Sequence, residues 1–177
     1  TVTAIDLPTN TVAATIPVGL GPVGVSVNYA GTRAYVANQQ ANSVGVIDTA
    51  TNTVIATIPV GSQPGSVGVN PAGTRVFAPN QTSNSVSVID TSTNTVIATV
   101  AGLNFPSAAV FNPSGSKAYV NQSGANLLTA IDATTNTVIG SVAVCSGPYQ
   151  QVVNASGTRI YVVCSSGSVS VVDTSTF

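Results

Sequence analysis

The tetrapeptide Thr-Asn-Thr-Val occurs four times at one fixed spacing, and this spacing constrains the fold more than any other feature of the chain. Its copies begin at residues 9, 51, 93 and 135, so each lies 42 residues after the previous one. One glycine and one proline per copy keep the same step: Gly31, Gly73, Gly115 and Gly157, and Pro22, Pro64, Pro106 and Pro148. Self-similarity at a period near 40 residues predicts a repeat architecture.

Each repeat predicts four short strands. In the second repeat, apolar alternation favours strands near residues 66–69, 74–78, 86–89 and 95–100. Asn-Pro-Ala-Gly at 70–73 and Asp-Thr-Ser-Thr-Asn at 90–94 have the composition of turns. No segment shows a helical period. Four short antiparallel strands in about 40 residues are typical of one blade of a β-propeller.

We therefore predict an all-β fold, a four-bladed β-propeller of four 42-residue, four-stranded antiparallel repeats, as a single domain over residues 1–177. The blades are expected at about 22–63, 64–105, 106–147 and 148–177, with segment 1–21 completing the last blade. From the axis outwards we name the strands of a blade inner, second, third and outer. The inner strands are expected at about 23–28, 65–70, 107–112 and 149–154. A fragment of a larger ring and a β-solenoid are the alternatives.

Charged residues are scarce, and their positions follow the repeat. Charged residues make up 5% of the chain and the net charge is −1, so no basic field exists to attract nucleic acid or an anionic membrane. No apolar run approaches the ~20 residues of a membrane-spanning helix. The five acidic residues are Asp6, Asp48, Asp90, Asp132 and Asp173, and the four basic residues are Arg33, Arg75, Lys117 and Arg159. We expect no nucleic-acid partner and no membrane insertion.

The composition argues against catalysis and cofactor binding. The chain has no His and no Met, so a nucleophilic triad lacks its base and haem lacks these axial ligands. Two cysteines are too few for a structural zinc site without His. Four equivalent Asp could ring a Ca²⁺ ion, but the stronger interpretation is that each caps a turn. The aromatic residues at one repeating strand position, Tyr35, Phe77, Tyr119 and Tyr161, are expected in the core between blades. We expect no catalytic, cofactor or metal site.

Several motifs resemble those of the YVTN-repeat β-propellers. They are Tyr-Val-Ala-Asn at 35–38, Gly-Thr-Arg at 31–33 and Val-Ile-Asp-Thr-Ala-Thr-Asn-Thr-Val at 46–54. The naming tetrapeptide degrades in later copies, as in Phe-Ala-Pro-Asn at 77–80, although the resemblance extends over essentially the whole chain. This family usually forms seven-bladed rings, whereas four repeats are present here. The resemblance implies a propeller on the cell exterior and no particular activity.

Two cysteines break the repeat together. Cys145 stands where other copies have Gly or Leu, and Cys164 where they have Asn or Gln. In the propeller these positions end an outer strand and the second strand of the next blade, on one face. We predict a disulfide between them and hence an oxidising location; unrelated buried thiols are the alternative. Three Asn-x-Ser/Thr motifs are possible glycosylation sites: Asn80, Asn121 and Asn154.

Five segments of the chain have the pattern of a third strand, which is one more than four blades need. Two of these segments, residues 169–173 and 1–6, compete for the same place. If the outer strand 11–17 joins the last blade, that blade has room for only one third strand. We expect 169–173 to fill the slot, because a short loop connects it to the preceding strand. The other segment is then left unpaired and could add to the sheet edge of another subunit; its residues are Val2, Thr3, Ala4, Ile5 and Asp6. A frayed terminus, or an extra outer strand on its own blade, are the alternatives.

These observations favour an extracellular or cell-surface structural protein, a small propeller that self-assembles into a filament, tube or surface layer. Its expected partner is therefore itself. The alternative is a propeller module that binds glycans or proteins without catalysis. An enzyme is the third and most distant interpretation.

Overall fold

The computed structural model describes all 177 residues. Its strands, in chain order, are β1 (Val2–Asp6), β2 (Thr11–Ile16), β3 (Pro22–Val27), β4 (Arg33–Asn38), β5 (Ser43–Asp48), β6 (Thr53–Pro59), β7 (Gly68–Val69), β8 (Arg75–Asn80), β9 (Ser85–Asp90), β10 (Thr95–Ala101), β11 (Pro106–Phe111), β12 (Lys117–Gln122), β13 (Leu127–Asp132), β14 (Thr137–Ala143), β15 (Pro148–Val153), β16 (Arg159–Cys164) and β17 (Val169–Asp173). A short 3₁₀ turn over Thr174–Thr176 follows the last strand. The chain contains no helix long and apolar enough to span a membrane.

The strands form antiparallel sheets in which sequence neighbours pair. Sheets β3–β6, β7–β10 and β11–β14 are the first, second and third blades, and β15–β17 is the fourth. The ends of the four inner strands, β3, β7, β11 and β15, surround one axial cavity. The predicted all-β, four-bladed propeller is therefore confirmed. One detail differs, because only three blades have four strands and the fourth has three.

The hydrophobic core lies between blades. Tyr35, Val44 and Val46 of the first blade pack against Val76 and Ile89 of the second. At the next interface the rings of Phe77 and Phe111 meet edge to face, with centroids 4.9 Å apart. This follows from the alternation of side chains along a strand, which gives every blade one apolar face towards the preceding blade and one towards the following blade.

The backbone conformation explains the asparagine in each Thr-Asn-Thr-Val copy. These residues have φ between 53° and 57°, in the left-handed region: Asn10, Asn52, Asn94 and Asn136. Asparagine tolerates this conformation better than other residues with a side chain. The repeated motif is therefore the turn between the third and outer strands.

Four of the five aspartates cap these turns, as expected, and the fifth, Asp173, caps the 3₁₀ turn over Thr174–Thr176. Asp90 accepts hydrogen bonds from the Ser92 hydroxyl at 2.6 Å and the Ser92 N–H at 2.9 Å, and it forms the ion pair with Arg75. These two hydrogen bonds, with smaller contributions from the Thr93 N–H and Arg75, lower the pKa of Asp90 from 3.8 to about 2. Hydrogen bonds from a nearby Thr or Ser also lower the pKa of the other four: Asp6, Asp48, Asp132 and Asp173.

The inner strand of the second blade is shorter than expected, since β7 covers residues 68–69 and not 65–70. Gly65 still pairs within its own sheet, where its N–H donates to the Pro79 carbonyl at 2.8 Å. The next residue bridges to the third blade: the Ser66 N–H donates to the Ser107 carbonyl at 2.9 Å and the Ala109 N–H donates to the Ser66 carbonyl at 3.0 Å. A Cβ on Gly65 would overlap the carbonyl oxygen of Ser107. Glycine therefore permits this close approach of two backbones.

The N-terminal segment does not complete the last blade, which corrects the expectation for residues 1–21. β2 pairs with β1, from Val2 opposite Ile16 to Asp6 opposite Thr11, and forms a separate two-stranded sheet. This N-terminal hairpin packs on the first blade through Val2, Ala14 and Ile16. Pairing across a four-residue turn closes a far smaller loop than pairing with the end of the chain. β17 pairs with β16, as expected, whereas β1 is not left unpaired.

The predicted disulfide is confirmed. Cys145 and Cys164 are bonded, with their Cα atoms 5.8 Å apart, a common separation for a disulfide. Cys145 follows the outer strand of the third blade, and Cys164 ends the second strand of the fourth. The bond therefore ties the fourth blade to the third.

Replacing Gly65 should destabilise the protein, because any Cβ there pushes the second and third blades apart. We expect Gly65→Ala to lower the free energy of unfolding by about 1–3 kcal/mol in urea titrations. Gly140→Ala is the matched control, since its Cβ would meet only a ring carbon of Phe177 at 3.9 Å. Equal losses in the two variants would contradict the close approach.

Acid should weaken the turns. The pKa of Asp90 is depressed in the fold, so its stabilising effect is complete above the unfolded value near 3.8 and is lost as the pH falls through about 2. We expect the thermal midpoint, followed by circular dichroism, to fall over this range. Asp90→Asn should have a shallower pH dependence, because the amide carries no charge to titrate. An unchanged slope in this variant would show that Asp90 does not contribute.

Candidate functional site

The candidate site is an open seam between the fourth blade and β3 of the first blade. No strand pairing and no backbone hydrogen bond joins β15–β17 to β1–β3. The seam has two surfaces, namely the outward face of the fourth blade and the part of the first blade that the N-terminal hairpin leaves uncovered. Each surface carries side chains whose equivalents in other blades lie in the hydrophobic core.

The outward face of the fourth blade exposes apolar side chains. Tyr161, Val169 and Val171 are 38%, 57% and 54% exposed. Arg159 pairs with Asp173 as Arg33 pairs with Asp48, so these residues have register equivalents in the first blade. The equivalents are Tyr35, Val44 and Val46, which are at most 1% exposed. The expectation that the aromatic position is buried therefore holds for Tyr35, Phe77 and Tyr119, and is wrong for Tyr161.

The first blade exposes its inner strand at the seam. Val25 and Val27 on β3 are 54% and 55% exposed, whereas their equivalents in the third blade, Ala109 and Phe111, are buried. The difference arises because the N-terminal hairpin consists of only a third strand and an outer strand. It therefore covers only the outer half of this face of the first blade and leaves the inner strand β3 exposed. Two cavities of about 300 and 240 Å³ lie where the hairpin meets β3, and both include Val2 and Val25 in their linings.

These two surfaces can pack against another blade. Both have the apolar character of the blade faces that meet inside the molecule, and contiguous exposed apolar surface of this kind marks interaction sites. The fourth blade also has an unpaired strand edge on β17, which can accept another strand. The seam therefore offers apolar burial and backbone pairing at one place.

The axial cavity has a different chemistry. It has a volume of about 390 Å³ and lies at the ends of all four inner strands. Its lining includes valines, prolines and the amides of Asn70, Asn112 and Asn154. This lining can accommodate an apolar group and a few hydrogen bonds, and the five aspartates are not part of it.

A third depression, between loops of the first and second blades, is entirely polar. It has a volume of about 330 Å³ and is lined by Gln39, Gln40, Asn42, Ser62, Gln63 and Thr82. Within it, the Thr82 hydroxyl donates to Gln63 Oε1 at 2.8 Å, and Gln39 Nε2 donates to Gln81 Oε1 at 3.2 Å. Amides and hydroxyls of this kind can exchange hydrogen bonds with the hydroxyl groups of a sugar.

The structure argues against two of the three possible glycosylation sites. Asn80 and Asn121 are completely buried, and Asn80 Nδ2 donates to the hydroxyls of Ser85 and Ser87. A glycan on either nitrogen would have to displace core atoms of the folded blade. Asn154 is half-buried at a turn, and its Nδ2 donates to Ser156 and Thr158. Its glycosylation stays a prediction.

Comparisons with known proteins identify the fold. No protein-family model matches the chain, and no curated protein matches it by sequence. Kuenenia stuttgartiensis hydrazine synthase matches with a TM-score of 0.85 and 26% identity, over 92% of this chain and 48% of that one. A functionally unknown protein from Desulfotomaculum acetoxidans matches with a TM-score of 0.81 and 19% identity, over 98% and 61%.

Dihydro-heme d1 dehydrogenase NirN, in complex with DHE, matches with a TM-score of 0.82 and 14% identity, over 98% of this chain and 39% of that one. The chain thus spans between 39% and 61% of the length of these solved chains. The matches support a β-propeller module; the narrower resemblance to the YVTN repeats has no matching family model.

Proposed function

We propose that this chain is an extracellular structural propeller of the YVTN-repeat type, which self-assembles through its seam into a filament, tube or surface layer. The observation that carries the proposal is the exposure of Tyr161, Val169 and Val171, whose equivalents form the core between blades. Their burial against another subunit would be favourable by about 25 cal/mol for each Å² of apolar surface covered.

The disulfide and the composition support an extracellular location. Disulfides persist in oxidising compartments and are rare in the reducing cytosol, and the Cys145–Cys164 bond is formed within one chain. Charged residues make up only 5% of the sequence. Both features fit the resemblance to surface-layer propellers.

The way the carboxylates are used supports a role without catalysis. Every aspartate accepts hydrogen bonds from its own turn, and Asp90 also pairs with Arg75. General acid–base catalysis needs a titrating group directed at a substrate. Hydrazine synthase and the NirN dehydrogenase are named for reactions, but this chain matches less than half of each.

A charge placed in the seam should prevent assembly. We expect Val171→Asp to weaken self-association more than about 100-fold, because a buried unpaired charge costs about 3 kcal/mol or more. Sedimentation velocity and negative-stain electron microscopy of the purified protein would measure this effect. Ile139→Asp is the matched control, since Ile139 is also exposed but lies on β14, away from the seam. A wild-type protein that stays monomeric at every concentration would refute the proposal.

The polar depression favours a second candidate function, the binding of glycans. Gln39, Gln63 and Thr82 line it with donors and acceptors. If it binds sugars, Thr82→Val should reduce binding on a glycan array, whereas Thr57→Val on the exposed outer strand β6 should not. Identical profiles for the two variants, or no binding by the wild type, would exclude this function.

A further inference from the structure

We propose that the seam contact between two copies is a shared blade, in which β2 of one copy becomes the outer strand beside β17 of the other. This inference rests on the proposed self-assembly and specifies its partner, a second copy of this chain, and its register. The argument has four parts: a vacant strand position, a matching register, a strand that can be displaced, and two apolar surfaces covered together.

The fourth blade has a vacant position for an outer strand. In the first three blades the third strand pairs with an outer strand as well as with the second strand, as β5 does with β6 and β4. β17 pairs only with β16. Its other edge presents unpaired backbone N–H and C=O groups, which favour the addition of a strand.

β2 already has the register of an outer strand. In the first blade Asp48 lies opposite Thr53, and Val46 opposite Ala56. The N-terminal hairpin repeats these pairs 42 residues earlier, with Asp6 opposite Thr11 and Ala4 opposite Ala14. Because β17 is the equivalent of β5, the same register places Asp173 opposite Thr11 and Val171 opposite Ala14 of the second copy.

β1 is the strand that gives way. It occupies the position beside β2 that β17 of the other copy would take, and none of its five residues is buried. β17 is held more firmly, because Val172 is buried and the ring of Phe177 lies 5.5 Å from the ring of Tyr119. The exchange also places the larger Val171 where Ala4 was, which increases apolar burial.

One contact of this kind covers both surfaces of the seam. With β2 as outer strand, β15 and β16 of the first copy lie over β3 of the second copy, where Val25 and Val27 are exposed. Tyr161, Val169 and Val171 then face the second copy as Tyr35, Val44 and Val46 face the second blade. The two surfaces that meet, β2 of one copy and β17 of the other, are different parts of the molecule, so the contact is head to tail and can repeat.

Cross-linking between two single variants tests the register. Ala14→Cys and Val171→Cys proteins are mixed, oxidised without reductant and separated by non-reducing electrophoresis. We expect a covalent pair of chains, because directly opposed Cβ atoms in a sheet lie about 4.5–5.5 Å apart. Ala13→Cys with Val171→Cys is the matched control and should cross-link at least about tenfold less, since Ala13 is the bulge residue between two paired positions.

The outcomes separate this inference from the proposed function. If wild-type copies associate and Val171→Asp abolishes association, but Ala14→Cys and Val171→Cys do not cross-link, the shared blade is refuted while self-assembly through the seam stands. An Ala14→Cys/Val171→Cys double variant that cross-links only within single chains would also refute it, since the ring would then close within one copy. A wild-type protein that never associates refutes both.

Deletion of residues 1–6 is an independent measurement. In a shared blade β1 competes with the incoming β17, so its removal should lower the dissociation constant at least about tenfold, as removal of a competing state does. If β1 itself were the strand donated to a neighbour, the deletion would abolish association. Weaker or unchanged association in the truncated protein, measured by sedimentation equilibrium, would overturn the shared blade.

Discussion

Blade faces that bury each other hold this propeller together. A single four-stranded sheet has two apolar faces and cannot cover either of them by itself, so the stability of each blade depends on its neighbours. The pairs Tyr35 with Val76 and Phe77 with Phe111 belong to successive interfaces of one kind. Hydrogen bonds set the register within a blade, whereas burial between blades determines how the blades are arranged. A face without a neighbour is therefore the main unsatisfied feature of the molecule.

Much of the fold can be predicted from the sequence, because the repeat is defined by residues that interact with their near neighbours in the chain. The spacing of Thr-Asn-Thr-Val gives the blade length, the asparagine marks a turn that needs positive φ, and each aspartate bonds within its own turn. The pairing of Cys145 with Cys164 also followed, since both break the repeat at positions that the propeller brings together. Each of these features depends on residues close in sequence or on the period itself.

Other features depend on competition between distant segments, which a pattern cannot rank. β2 has the same pattern whether it pairs with β1 or with β17, and the structure favours the local partner. The short β7 depends on a bridge to the next blade, and the glycines at 65 and 68 leave room for this close approach. The burial of Asn80 and Asn121 was missed because an Asn-x-Ser/Thr motif says nothing about exposure. The open seam was missed for a related reason, since Tyr161 occupies a core position of the repeat.

The Cys145–Cys164 bond connects the third blade to the fourth, and the fourth blade is covered on only one face. In a linear array of repeats, a terminal unit has half the interface of an internal one and opens first. The disulfide limits such opening at the C-terminal end, whereas the N-terminal hairpin is joined to the first blade by the polypeptide alone, with no disulfide between them. Local unfolding should therefore be polarised, with backbone amides of β1 and β2 exchanging hydrogen for deuterium well before those of β16.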